Sequence, residues 1–148
     1  MRKVIVLLAW CALAAGCSSL VPQLKPPELQ VTNLRFVSGD SRHQRLRLRI
    51  HVINPNNREI AVREIDYTLT LAGAHFADGS SAAPFTVLAL GATDFDLDVN
   101  ADIATLLKVV GAHLGEPALD YQVSGTLHLA EGVIREIPFK GHGQLPMR

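Results

Sequence analysis

The sequence predicts an all-β domain with one helix, an immunoglobulin- or fibronectin III-like antiparallel β-sandwich of about seven strands. Three observations carry this. Residues 45–53 read Arg-Leu-Arg-Leu-Arg-Ile-His-Val-Ile, and Ile65, Tyr67, Leu69 and Leu71 alternate with Asp66, Thr68 and Thr70. That period of two is the pattern of half-buried strands. Turn-forming residues punctuate the chain at short intervals, as a sandwich of short strands requires. Only one window has helical spacing: Ile103, Leu106, Leu107, Val110 and Leu114 fall on a single apolar stripe.

The elements follow in order. Residues 29–37 form a first strand, closed by Ser38-Gly39-Asp40, and residues 45–53 form the second. Pro55 fixes its own φ and has no N–H for a ladder, so the second strand stops there. The flanking Asn54, Asn56 and Asn57 tolerate left-handed backbone and hydrogen-bond locally, which makes the link a corner. A third strand spans residues 60–72, and residues 73–81 form a loop or short strand around Asp78-Gly79. Residues 85–99 form a long strand broken near Gly91. Gly115 and Pro117 end the helix. Residues 119–129 and 133–139 are the last strands, joined through Ala130-Glu131-Gly132.

The N-terminus sets the compartment. Residues 1–16 have a basic start (Arg2, Lys3), an apolar run of about a dozen residues and small residues at Ala14-Ala15-Gly16, the plan of a secretory signal. With Cys17 next, the segment resembles the lipobox of bacterial lipoproteins, Ala14 standing where Leu is usual. The resemblance implies cleavage before Cys17, lipidation of that cysteine and a membrane anchor. Ser18, in place of the Asp that retains such proteins in the inner membrane, implies the outer membrane, facing the periplasm. Residues 17–27, rich in proline, read as the lipidated cysteine and an extended tether. Residues 28–148, about 120 in all, suit one compact domain.

Processing settles the cysteine and charge balance. Cys11 leaves with the leader and Cys17 carries lipid, so no disulfide is expected. Trp10, the only tryptophan, leaves too. Without Arg2 and Lys3 twelve basic residues face fourteen acidic, a net charge near −2 that argues against nucleic acid as a partner.

Asn54-Pro55-Asn56, then apolar Ile60 and Val62, then Ile65-Asp66-Tyr67-Thr68-Leu69 and Ala72-Gly73, resembles the WHy (water stress and hypersensitive response) domain of the LEA type 2 (LEA14-like) family. Ile60 and Ala61 stand where a proline is common, and Ala72 stands where Asn usually precedes the glycine. The resemblance extends over most of residues 28–145 and implies a sandwich fold and a link to desiccation, cold or osmotic stress. It brings no catalytic residue.

The residues themselves point away from catalysis. Asp94, Asp96, Asp98 and Asn100 lack the Gly and Glu of a calcium loop, having Val99 and Thr105 at those places. On a strand alternate carboxylates are ~6.7 Å apart, too far for three to share one ion. The six histidines are scattered, and neither a Gly-x-Ser-x-Gly elbow nor a phosphate-binding glycine loop is present. No metal, cofactor or catalytic residue is expected, and the chain reads as a non-enzyme. Arg45, Arg47 and Arg49 form a basic row that could contact anionic groups, or could face the aspartates if the two strands are neighbours. The expected function is protection of the envelope against water stress by an anchored, folded domain. Its expected partners are the membrane through the anchor and stress-denatured clients or lipid headgroups. The alternative is an adaptor lipoprotein using the sandwich to bind a protein or lipid.

Overall fold

The computed structural model describes residues 24–40 and 43–146. Over them run β1 (Glu28–Gly39), β2 (His43–Ile53), β3 (Ile60–Leu71), β4 (Ala74–Ser81), β5 (Phe85–Val87), β6 (Ala92–Asp102), α1 (Ile103–Ala112), β7 (Ala118–Leu129) and β8 (Glu136–Pro146). The fold is mostly β, as expected, with antiparallel sheets packed as a sandwich. One sheet has the order β1-β2-β6; the other runs β4-β3-β7-β8, with β5 beside the start of β3.

Alternation places the core. Leu46, Leu48, Ile50 and Val52 of β2 meet Leu97 and Val99 of β6 on the inner face of one sheet. Ile65, Tyr67, Leu69 and Leu71 of β3 join Val123, Leu127, Ile137 and Phe139 on the other. Val62 and Ile65 are both buried although three apart, and a bulge in the β3–β7 pairing at this point resets the phase. Two tyrosines tie the sheets together. The Tyr121 hydroxyl accepts the Val31 N–H at 2.8 Å, and the Tyr67 hydroxyl donates to the Asp98 carbonyl at 3.3 Å. Burial, with Asp78 and Asp98 nearby, pushes the Tyr67 phenol up and keeps it a donor.

Four details differ from the sequence reading. Residues 74–81 are a full strand, because Ala72 (φ 47°) and Gly73 (φ 77°) make a two-residue hairpin. Paired positive φ is the geometry that matches strand twist, and Asn or Gly adopts it more easily than Ala. The long strand expected over 85–99 is two strands separated by the 88–91 loop, and the second of them runs on to Asp102. The last strand begins at Glu136, not 133; Val133 sits in the hairpin loop, 92% exposed. The helical stripe is only partly a buried face. Ile103, Leu106 and Val110 are half-buried and Leu107 is 67% exposed. The fully buried helix residue is Val109, outside the expected stripe, and Leu114, 77% exposed, lies beyond the helix end at Ala112. The helix starts directly from the end of β6, capped by the Asp102 carboxylate accepting the Thr105 N–H at 3.0 Å. It therefore lies across one end of the sandwich against β6 and β4 and does not cover a sheet face.

The registers define two poles. One gathers the 54–59 link, the 88–91 loop and the β7–β8 hairpin; the other gathers the β3–β4 hairpin and α1. Between the poles the edges of β1 and β8 touch backbone to backbone. A Cβ added at Gly141 would lie 2.1 Å from the Leu29 carbonyl oxygen, so no side chain fits without moving a strand. Gly141→Ala is expected to lower stability by about 1–3 kcal/mol. Gly111→Ala, in open space on the helix, should instead raise it by about 0.5–1 kcal/mol. Thermal melts of the two variants check the contrast.

Candidate functional site

The Asn-Pro-Asn corner is built around two buried amides. Asn54 is 1% exposed and Asn56 is 7% exposed. The Asn54 amide nitrogen donates to the carbonyls of Arg58 (2.8 Å), Leu88 (3.0 Å) and Val87 (3.3 Å). Its oxygen accepts the Asn56 backbone N–H at 3.0 Å and the Asn56 side-chain N–H at 2.9 Å. Asn56 in turn reaches the N-terminal segment: its oxygen accepts the Lys25 N–H at 2.7 Å and its nitrogen donates to the Lys25 carbonyl at 2.9 Å. Backbone bonds from Asn54 N–H to the Gly91 carbonyl (2.9 Å) and from Leu90 N–H to the Asn56 carbonyl (2.8 Å) complete the clamp. The end of the expected tether is thus docked: Pro27 is buried and Leu24 packs on the core. Cys17 and residues 1–16 lie outside the described residues.

The basic row lies on β2 opposite the aspartates of β6. Cα partners are Arg47 with Asp98, Arg49 with Asp96, His51 with Asp94, and Arg45 with Asn100. Arg47 and Arg49 make two-pronged bonds to their carboxylates, and Arg35 of β1 reaches Asp96 at 3.4 Å. The Arg47 and Arg49 guanidiniums hold Asp98 and Asp96 below the usual carboxylate range, and are themselves raised. Of the three arginines, Arg45 is the one facing no carboxylate across the ladder. The recess among Arg35, Arg47, Arg49 and Asp96 holds only 50 Å³. Arg47 and Arg49 are thus paired across the ladder, while Arg45 faces Asn100. Among the described residues, no group of three or more His, Asp or Glu is arranged to hold a metal ion.

The helix pole carries a feature that periodicity alone did not disclose. An open groove of 730 Å³ lies between β1 and the helix, floored by Leu71, Leu119 and Leu145. Leu34 and Phe36 of β1 line one wall, and Leu106 and Leu114 line the other. Phe36 is 63% exposed although it sits opposite buried Leu46 on the core-facing side of its strand. Alternation assigns a face to each residue, but it cannot report that the facing sheet is missing. The signal available was Phe36-Val37, two large apolar residues just before a polar turn.

Two expected outcomes follow from these geometries. Asn54→Ala strands two sets of buried carbonyls and an N–H, and should cost about 3 kcal/mol; Asn56→Ala should cost less, about 1–2 kcal/mol. Asn54→Asp, which cannot donate, should resemble Asn54→Ala in a denaturant melt. The second concerns His128, which lies 2.7 Å from Asp66 and 3.5 Å from Glu136. The bond to Asp66 and the two carboxylates raise its pKa above the ordinary 6.5. A raised histidine contributes stability that is fully present below its unfolded value and fades as pH climbs through the folded one. The stability gap between wild type and His128→Gln should therefore be wide near about pH 5.5 and close at higher pH in parallel denaturant titrations.

Comparison with known proteins agrees with this architecture. The chain is 29% identical over 129 residues to a desiccation protectant protein Lea14 homolog of Glycine max, covering 86% of this chain and 80% of the relative. The solution structure of an Arabidopsis thaliana protein superposes with a TM-score of 0.67 at 20% identity, covering 90% of each chain. A crystal structure from Archaeoglobus fulgidus shares the fold at a TM-score of 0.50 and 16% identity, covering 85% of this chain and 98% of that one. The profile of the late embryogenesis abundant protein family (LEA_2) matches residues 49–143, from the middle of β2 through most of β8. On that match the chain belongs to the late embryogenesis abundant type 2 family.

Proposed function

We propose that the chain is exported, cleaved before Cys17 and lipidated there, and that its anchored sandwich protects outer-membrane and periplasmic components against desiccation, freezing or osmotic stress without catalysis. The observation that carries this reading is family membership over residues 49–143 in a domain that is folded throughout its core. The Glycine max relative, a desiccation protectant, points the same way. Protection by such a domain acts through a surface. It does not require the hydrated disorder of highly polar stress proteins, and a 48% hydrophobic chain does not have their composition. Anchoring supplies local concentration: two or three acyl chains, at ~0.8 kcal/mol per buried methylene, hold a protein on a bilayer stably. Among the described residues no helix is long and apolar enough to cross a membrane.

The second reading, a binding module, is favoured by the 730 Å³ groove. Apolar clefts of this size accept drug-sized ligands or apolar side chains of a partner. The two readings meet if partly unfolded clients touch the protein at the groove.

Survival after drying and freezing tests both. A strain lacking the protein should lose viability and recover it with wild type. Cys17→Ser should fold normally, leave the membrane fraction and fail to rescue. A doubly substituted Phe36→Asp, Leu114→Asp chain, altered only at exposed positions, should stay folded; rescue by it would place protection elsewhere than the groove. A deletion strain that dries and freezes as well as its parent would overturn the protective reading.

A further inference from the structure

The pole opposite the groove carries its own exposed apolar residues. Leu88 and Leu90 in the 88–91 loop are 66% and 72% exposed, and Val133 at the tip of the β7–β8 hairpin is 92% exposed. These loops flank the Asn-Pro-Asn corner on both sides: Asn54 and Asn56 bind the 88–91 loop, and Ala130 donates to Ala61 at the start of β3. Leu90 is held with φ 52°, an unusual conformation for a bulky residue, by its N–H bond to the Asn56 carbonyl. The N-terminal chain leaves from the same place, because Lys25 is bound on both its N–H and its carbonyl by Asn56.

The reach of that chain restricts what can cover the patch. Cys17 is seven residue steps from Leu24, a reach of at most roughly 25 Å when extended. Strands of twelve residues make the domain roughly 40 Å long. A lipid on Cys17 therefore brings this pole, and not the groove pole, to the bilayer. We propose that Leu88, Leu90 and Val133 form a membrane-docking pole that dips into the lipid interface and orients the groove away from it. The proposal rests on the anchored reading above. The surrounding charges are mixed, Lys25, Arg58 and Arg135 against Glu59 and Glu131, so contact is apolar and needs no anionic lipid. Three side chains are too few to hold a free protein on a membrane. Behind an anchor they act at an effective concentration in the millimolar range, which makes shallow insertion the resting state.

Tryptophan fluorescence tests this directly, since Trp10 is the only native tryptophan. In full-length chains carrying Trp10→Phe, single reporters Leu90→Trp, Val133→Trp and Leu114→Trp are expressed, purified from membranes and placed in phosphatidylethanolamine vesicles with brominated acyl chains. Reporters at 90 and 133 should lose roughly half their emission and shift to the blue, while the reporter at 114 stays unchanged. Equal quenching at all three positions, or none at 90 and 133, would overturn the docking pole. The anchor is read separately, by vesicle co-sedimentation and the mass of the N-terminal peptide. An unlipidated chain beginning at Met1 refutes anchoring and the docking pole with it, whereas a lipidated, vesicle-bound chain without quenching at 90 and 133 overturns the pole alone.

Discussion

The side-chain amide of Asn54 is the constraint on which the corner of the molecule depends. It is buried, and it is shared among carbonyls from the link that follows β2 and from the loop that follows β5. A buried amide without partners is costly, so each of these segments must arrive in one place for the others to be satisfied. Asn56 extends the same requirement to the N-terminal segment through Lys25. The result is that the end of β2, the start of β3, the approach to β6 and the entry into β1 are positioned together. Proline's part is narrower: it stops the ladder and lets the two asparagines turn inward.

Much of this was legible in the chain. The alternating rows of β2 and β6 made an Arg–Asp ladder foreseeable, and the register places Arg47 on Asp98 and Arg49 on Asp96. The corner, too, was readable as a turn with side-chain capping. What was not legible depends on distant backbone. Nothing local marks Val62 and Ile65 as bulge-related, since the phase is set by where β7 lies. Leu107 has helical spacing with its apolar neighbours, yet the helix, at an end of the sandwich, buries Val109 instead, and Leu114 falls beyond the helix end. Phe36 has an inward register without a facing sheet. Leu24 to Pro27 read as tether because proline looks like linker, although Asn56 captures the backbone there.

The sandwich thus has unequal ends. At one, charged and apolar loop tips surround the emerging chain; at the other, an apolar groove opens between β1 and the helix. The middle is closed by glycine-mediated contact between β1 and β8 and by tyrosines crossing the sheets. Such a division lets surface chemistry vary at the ends without disturbing the packing between them. Fold alone therefore says little about partners, and the ends are where members of a family with this architecture can differ.

The clamp at Asn54 and Asn56 has a consequence for a cell losing water. Its bonds are between neutral amides, and none of its side chains titrates. As solutes concentrate, the screening length shrinks from about 8 Å toward about 3 Å at molar salt, and exposed ion pairs such as Arg49 with Asp96 weaken. Buried neutral hydrogen bonds are outside the reach of that screening, and excluded solutes favour burial of the apolar core. The architecture therefore shifts its weight, under drying, from the charged sheet face to the uncharged corner and the interior.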